Sequence, residues 1–138
     1  MKKQSEKEVI ELHKFFEKWF KSEIENKDEV FTRLEDALSE EFMLISPTGH
    51  VSSREQIITQ IKNGYGSRKT DEIPYRLWVQ NIECRLLEGN LCLVIYEEWR
   101  EVAGKTNARL SSALFRKKIK TVNGVEWVHV HEVTIPTE

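Results

Sequence analysis

Residues 91–100, with the sequence LCLVIYEEWR, begin as an apolar run and end in charged residues and a tryptophan. Two segments of similar length follow, residues 108–116 (ARLSSALFR) and residues 126–133 (EWVHVHEV). Each alternates apolar residues with polar or aromatic ones, which is the period-2 pattern of a β-strand. The sequence therefore predicts three consecutive antiparallel strands. Because polar groups recur where a plain sandwich would bury aliphatic residues, we expect one face of this sheet to line a pocket.

The size and charge of the chain limit the classes of function. Its 138 residues can bury a proper core, and we expect one domain over residues 1–138. The net charge is -2 at pH 7, and the basic run at residues 116–120 precedes a turn, as is typical of a solvated hairpin tip. Binding to DNA or RNA needs a concentrated basic face, so we expect no nucleic-acid partner.

Hydropathy and cysteine usage favour a cytoplasmic protein without a membrane partner. No apolar run approaches the roughly 18 residues that a membrane-spanning helix needs. The charged N-terminal residues have no apolar segment behind them, which argues against a signal peptide. Cys84 and Cys92 flank a predicted hairpin, and centring it on Gly89 puts Cys92 opposite Leu86. We therefore expect two reduced thiols without a direct bridge.

The residues before these strands predict three helices and a short strand. Residues 6–24 place apolar and aromatic side chains at three- and four-residue spacings, which predicts an amphipathic helix, and residues 30–38 predict a second. Residues 41–45 predict a strand that a Pro-Gly turn ends. Ser53 and Gln56 form a capping box at the start of a third helix. With a long strand over residues 73–87, this order predicts an α+β fold with the helices on one face of a curved sheet.

Three stretches carry a resemblance to a known family. They are residues 42–49 (FMLISPTG) followed by residues 54–57 (REQI), residues 112–118 (SALFRKK) and residues 127–131 (WVHVH). These resemble the nuclear transport factor 2-like superfamily, which includes ketosteroid isomerases, SnoaL-like polyketide cyclases and the association domain of calmodulin-dependent kinases. The resemblance implies a single SnoaL-like domain with a cystatin-like, cone-shaped fold. In that fold a curved antiparallel sheet wraps around the N-terminal helix.

Hairpin geometry predicts which residues of the long strands share the concave face. A turn centred on Gly104 places Glu97 opposite Ser111 and Trp99 opposite Arg109, and opposite partners lie on one side of a sheet. In the family picture this face lines the cavity. Desolvation there would raise the pKa of Glu97, which is the property that a general base needs. The alternative is that Glu97 and Arg109 form a partly solvated ion pair at the rim.

The last strand allows two orientations, because a shift of one residue exchanges its two faces. The resemblance favours Val130 and Glu132 in the cavity, with both histidines on the outer face. Counting from a turn at residues 123–124 favours the opposite arrangement. In that arrangement the inward residues are Trp127, His129 and His131. Neighbouring histidines on one strand point past each other unless a third ligand converges, so we expect no metal site.

We predict a small-molecule-binding protein whose cavity lies between the curved sheet and the N-terminal helix, with no cofactor. One alternative is a cofactor-independent isomerase, cyclase or dehydratase with Glu97 or Glu132 as the proton-transfer base. A second alternative is an oligomerisation module. The predicted ligand-binding residues are Phe16, Trp19, Tyr65, Trp99, Arg109, Ser111 and His131. We also expect a homodimer through the convex face of the sheet, to which the count assigns Tyr96, Leu110, Leu114 and, in one orientation of the last strand, Trp127.

Overall fold

A computed structural model describes residues 1–136 of the chain. The elements are, in chain order, α1 (Lys2–Phe20), α2 (Asp28–Ala37), β1 (Leu38–Ile45), β2 (Val51–Ser53), α3 (Arg54–Asn63), β3 (Arg76–Glu88), β4 (Leu91–Val102), β5 (Lys105–Lys117) and β6 (Val125–Ile135). This order confirms the predicted α+β class. Over the same residues, no helix combines the length and the apolar character needed to cross a membrane.

The six strands form one mixed sheet in the order β2-β1-β6-β5-β4-β3. All neighbouring strands pair antiparallel except β1 and β6, which run parallel with Leu44 beside Val130. The expectation of a purely antiparallel sheet is therefore wrong at this one pairing. No hairpin joins β1 to β6, so turn geometry does not fix their relative direction.

Helix α1 packs across the concave face of the sheet with an apolar stripe. The stripe is at most 7% exposed and consists of Val9, Leu12, Phe15 and Trp19. Burying each such side chain stabilises the fold by about 1.5–3 kcal/mol. Trp19 also donates its Nε1–H to the carbonyl oxygen of Ile61 in α3 at 2.7 Å. The stripe therefore joins α1 both to the sheet and to α3.

A buried carboxylate of α1 joins this helix to three other parts of the chain. Glu8 is 1% exposed and accepts hydrogen bonds from both Nη atoms of Arg33 in α2, at 2.8 and 3.1 Å. Its Oε2 also accepts from Trp127 Nε1 in β6 at 2.9 Å, and its Oε1 accepts from Asn123 Nδ2 in the loop before β6 at 2.8 Å. Each carboxylate oxygen of Glu8 therefore accepts two hydrogen bonds.

The β4–β5 hairpin turns through two residues and not around a single central one. Val102 pairs with Lys105, so the turn consists of Ala103 and Gly104, with φ values of 52° and 78°. Positive φ at both central residues is the signature of a type I′ turn, for which Asn-Gly is the usual sequence. Ala-Gly gives a weaker signal, so the sequence alone does not define the centre of this turn.

The observed register of β4 against β5 reverses which residues of β4 lie on the concave face. Glu98 lies opposite Arg109, and Glu97 lies opposite Leu110. The predicted pairings of Glu97 with Ser111 and of Trp99 with Arg109 are both wrong by one residue. Because side chains alternate along a strand, this single step moves Glu97 and Trp99 from the concave to the convex face.

A bulge in β6 sets which residues of the last strand face inward. Leu114 pairs with His129, whereas the next residue of β5, Phe115, pairs with Trp127, which leaves one extra residue in β6. Val130 and Glu132 are 3% and 4% exposed on the concave side, as the family resemblance predicts. The count from a turn at residues 123–124 is wrong, because β5 ends at Lys117 and a longer loop precedes β6.

The two cysteines lie closer together than the hairpin count predicts. The β3–β4 register shifts between Cys84 and Leu86, and this brings the Cys84 and Cys92 sulfur atoms to 3.0 Å from each other. Both are free thiols. Burial and the hydrogen bond with Cys84 raise the pKa of the Cys92 thiol to about 11, so it stays protonated at neutral pH.

Candidate functional site

A cavity of about 290 Å³ lies between the helices and the concave face of the sheet. Its apolar wall comes from all three helices and from β1. This wall includes Leu12, Phe16, Leu34, Phe42, Leu44 and Ile61. Such a surface favours an apolar ligand body, because burying apolar area away from water is favourable.

Charged side chains line the opposite side of the same cavity. The β4–β5 and β5–β6 registers bring the inward positions of three neighbouring strands together. His13 of α1 lies beside them. We name these five residues the polar cluster, which consists of His13, Glu98, Arg100, Arg109 and Glu132. A cavity with an apolar wall and a few convergent polar groups is the usual form of a small-molecule site.

His13 and Glu98 form a buried pair that shares one proton. His13 is 3% exposed, and its Nδ1 lies 2.8 Å from the carbonyl oxygen of Val9, which can only accept a hydrogen bond. Nδ1 therefore carries a proton. Its Nε2 lies 3.0 Å from Glu98 Oε2, and one further proton must lie between these two atoms. The pair as a whole carries no net charge.

The surroundings of Glu98 keep its carboxyl group ionised. Burial raises the pKa of Glu98, but the hydrogen bond and charge of His13 and the charge of Arg100 outweigh this effect. The pKa of Glu98 falls to about 2 as a result. Arg100 Nη2 donates to Glu98 Oε1, so both oxygens of the carboxylate are engaged. The carboxyl group of Glu98 is therefore ionised at neutral pH.

The pKa of Glu132 is shifted in the opposite direction from that of Glu98. It is 4% exposed, and its Oε1 accepts a hydrogen bond from Arg109 Nη1 at 3.0 Å. Burial and the negative charge of Glu98 raise the pKa of Glu132, and Arg109 opposes them only in part. Two neighbouring carboxyl groups with pKa values pushed apart can hold different protonation states at one pH, which is the arrangement of many acid–base sites.

The two arginines of the polar cluster have hydrogen-bond donors without a partner among residues 1–136. Arg100 Nε is buried and has no hydrogen-bond partner among residues 1–136. In the same part of the chain, the structure gives Arg109 one hydrogen bond, through Nη1. A buried donor without a partner, such as Arg100 Nε, costs about 1–3 kcal/mol. The Arg109 side chain lines the cavity and is 33% exposed, so an acceptor group of a ligand can reach it.

The structure brings three of the sequence-predicted site residues into the cavity. These are Phe16, Arg109 and Glu132. Trp19 and Tyr65 lie behind the wall, in edge-to-face contact with 4.7 Å between their ring centroids. Ser111 is fully buried on the concave face, between Tyr96 of β4 and Glu132 of β6 in the register.

The other three predicted residues, Glu97, Trp99 and His131, belong to the convex face. Glu97 accepts hydrogen bonds from Asn81 Nδ2 and from Trp99 Nε1, each at 2.8 Å. These bonds, that of Asn81 foremost, hold the pKa of Glu97 below its usual range. The expectation that Glu97 lies in the cavity with a raised pKa is therefore wrong.

Sequence reasoning missed His13, Glu98 and Arg100 as site residues. His13 lies on the buried face of α1, where a lone histidine is usually part of the core. The signal for Glu98 lies in the even positions of β4, where Cys92, Val94 and Tyr96 are apolar or aromatic and lead directly to it. If the concave face of β4 is assigned from that alternation instead of from the turn centre, it includes Glu98 and Arg100.

Solved structures define the class of this fold. An NTF-2 like protein of unknown function from Pseudomonas aeruginosa superposes with a TM-score of 0.82 at 16% identity, covering 96% of this chain and 99% of that one. The S. rosetta CaMKII hub superposes with a TM-score of 0.60 at 12% identity, covering 80% and 83% of the two chains. A cystatin-like protein from Caulobacter vibrioides gives a TM-score of 0.57 at 12% identity, covering 80% of each chain. The chain therefore has the nuclear transport factor 2-like fold, as its sequence resemblance predicts.

A family model places the chain more narrowly. Residues 5–136 match the sucrose-6-phosphate phosphohydrolase C-terminal family, and the chain belongs to this family. Sucrose-phosphatase 2 and sucrose-phosphatase 1 of Nicotiana tabacum are 25% and 26% identical to it over 126 residues. Each alignment covers 91% of this chain but 29% of the relative. The chain thus spans less than a third of the length of these relatives.

Proposed function

We propose that the protein binds a small molecule in the cavity between α1 and the concave face of the sheet. The observation that carries this proposal is the division of the cavity into an apolar wall and the polar cluster. Its volume of about 290 Å³ is near the lower end of the roughly 300–1,000 Å³ typical of ligand pockets. The ligand is therefore compact, with one polar end and an apolar body.

A substitution that fills the cavity tests this proposal. The control is the same substitution on the other face of the same strand. Leu44 lines the cavity, whereas its neighbour Met43 is 40% exposed. We expect cyclohexane derivatives, used as probes, to raise the melting temperature of the wild-type protein and of Met43→Trp. The Leu44→Trp variant should lose this response, because the indole would occupy the ligand space. Equal responses in Leu44→Trp and wild type would refute binding in this cavity.

Proton-transfer catalysis is a second candidate for the same cavity, and the position of Glu132 favours it. A general base must lie within reach of the substrate and have a pKa near the working pH. Glu132 lines the cavity and has a raised pKa, with Arg109 beside it to polarise a carbonyl group. A Glu132→Gln variant that turned over the substrate at the wild-type rate would rule out this role.

We further propose that the convex face of the sheet forms a homodimer. Leu86, Leu110 and Val133 project from this face and are 56%, 40% and 46% exposed in the single chain. Exposed apolar surface of this kind is characteristic of interfaces. The expectation that Tyr96 and Trp127 lie on the convex face is wrong, because both are 2% exposed and face the core. The proposed interface therefore does not include them.

Sedimentation equilibrium tests the dimer. The wild-type protein should sediment at twice the mass of the chain, whereas Leu110→Glu should sediment as a monomer, because it places a charge in the apolar contact. Val122→Glu is the control, since Val122 is 68% exposed in the loop before β6. A monomeric wild-type protein at tens of micromolar would refute this interface.

A further inference from the structure

The polar cluster contains more positive than negative charge. The His13–Glu98 pair is neutral as a whole, because its two hydrogen-bonding atoms share one proton. The remaining members are two guanidinium groups, Arg100 and Arg109, and a single carboxyl group, Glu132. At least one positive charge is therefore without a counter-charge inside the cluster. The side chains of Arg100 and Arg109 are 27% and 33% exposed, so water compensates this charge only in part, and an anion in the cavity would balance it.

The donors without a partner belong to the same two arginines. Arg100 Nε is buried without a partner in the described part of the chain, and Arg109 donates to Glu132 through Nη1. Guanidinium groups present their N–H donors in a planar fork that fits the oxygens of a carboxylate or phosphate. Uncompensated charge and unused donors are thus found together in one cavity.

Glu132 strengthens the preference of this cluster for acceptor groups. Burial and the charge of Glu98 raise the pKa of Glu132, so its negative charge is less favourable here than that of an ordinary carboxylate. A cationic ligand would meet two guanidinium groups here, and a neutral one would leave their charge unbalanced.

We infer that the buried end of the ligand is an oxyanion, a carboxylate or a phosphate ester, held by Arg100 and Arg109. The apolar body of the ligand lies against the wall formed by the helices and β1. This inference rests on the proposed binding function of the cavity and names the chemical class of its ligand.

Isothermal titration with four cyclohexane probes tests the charge of the bound group. The probes are cyclohexanecarboxylate, cyclohexyl phosphate, the isosteric cyclohexanecarboxamide and cyclohexanol. We expect at least one anionic probe to bind about 10- to 100-fold more tightly than the carboxamide, because hydrogen bonds to charged groups contribute more than neutral ones. The tighter of the two anions identifies whether a carboxylate or a phosphate is the preferred head group.

Substitution of the two arginines tests which groups hold the anion. Arg109→Gln and Arg100→Gln should each reduce the preference for the anionic probe over the carboxamide by about tenfold or more. Arg85→Gln is the matched control, since Arg85 is an exposed arginine of β3. Circular dichroism identifies any variant that does not fold. The comparison of both anionic probes with the carboxamide and the alcohol on the wild-type protein needs no variant.

The possible outcomes separate this inference from the proposed function. If the carboxamide or the alcohol binds as tightly as both anions, the oxyanion assignment is wrong, while binding in the cavity stands. If both arginine variants keep the full preference for the anion, other groups hold it and the assignment is overturned. If no probe binds the wild-type protein more tightly than Leu44→Trp, both the inference and the proposed function fail.

Discussion

The Glu8→Ala variant should lose about 3–5 kcal/mol of unfolding free energy, which is a large part of the stability of a domain of this size. Removing this carboxylate leaves the Arg33 guanidinium without its counter-charge. The Arg33 side chain is 18% exposed, so water replaces the lost partner only in part. The buried Trp127 Nε1–H loses its acceptor in the same step, and Asn123 Nδ2 keeps only its bond to Glu11 Oε1.

Urea denaturation monitored by circular dichroism measures this loss. The Glu6→Ala variant is the control, because it makes the same substitution two residues earlier in α1, where the side chain is partly exposed. We expect it to change the unfolding free energy by no more than about 0.5 kcal/mol. Glu8→Gln should also be strongly destabilised, since its amide group would turn a donor towards other donors. A loss below about 1 kcal/mol for Glu8→Ala would show that the network contributes little.

The second large effect is a dependence of stability on pH that originates from Glu98. The pKa of this carboxyl group is about 2 in the folded protein, compared with 4.5 for the ordinary group. A lowered folded-state pKa contributes stability that is fully present above pH 4.5 and is lost as the pH falls through about 2. The shift corresponds to about 3 kcal/mol at neutral pH.

Comparison of wild type with Glu98→Gln isolates this contribution. The glutamine resembles the protonated acid, so the two proteins should differ most above pH 4.5 and converge by about 3 kcal/mol as the pH approaches 2. Glu83→Gln, at an exposed position of β3, controls for the removal of a carboxylate. Urea titrations at a series of pH values provide the measurement. A difference between wild type and Glu98→Gln that stays constant over this range would contradict the proposed pairing with His13 and Arg100.

The class of the fold could be derived from sequence because it depends on patterns that survive small errors. The order of helices and strands, the capping box at Ser53 and the apolar stripe of α1 need only local periodicity. The structure contains the capping box with both of its hydrogen bonds. An error of two or three residues at the end of an element does not alter such conclusions.

The site was harder to predict because its composition depends on register. A turn centred on Gly104 alone predicts Glu97 on the cavity side. The observed turn consists of Ala103 and Gly104, and it places Glu98 there instead. The bulge in β6 placed Trp127 on the same side as Val130, which no uniform alternation allows. Contacts between distant segments, such as that of His13 with Glu98, leave no local trace in the sequence. Family resemblance gave the correct orientation of Val130 and Glu132 where counting from the turn failed.

The parallel pairing of β1 with β6 has a consequence for the folding pathway. The last strand in the chain occupies an interior place in the sheet, between β5 and the early strand β1. Contacts of such long sequence separation are slow to form, because the closure entropy of the intervening chain must be overcome first. While a nascent chain lacks β6, β1 has an open edge, which is a hazard for aggregation. Glu132 also arrives with β6, so a ligand that needs the complete cavity stabilises only the finished fold.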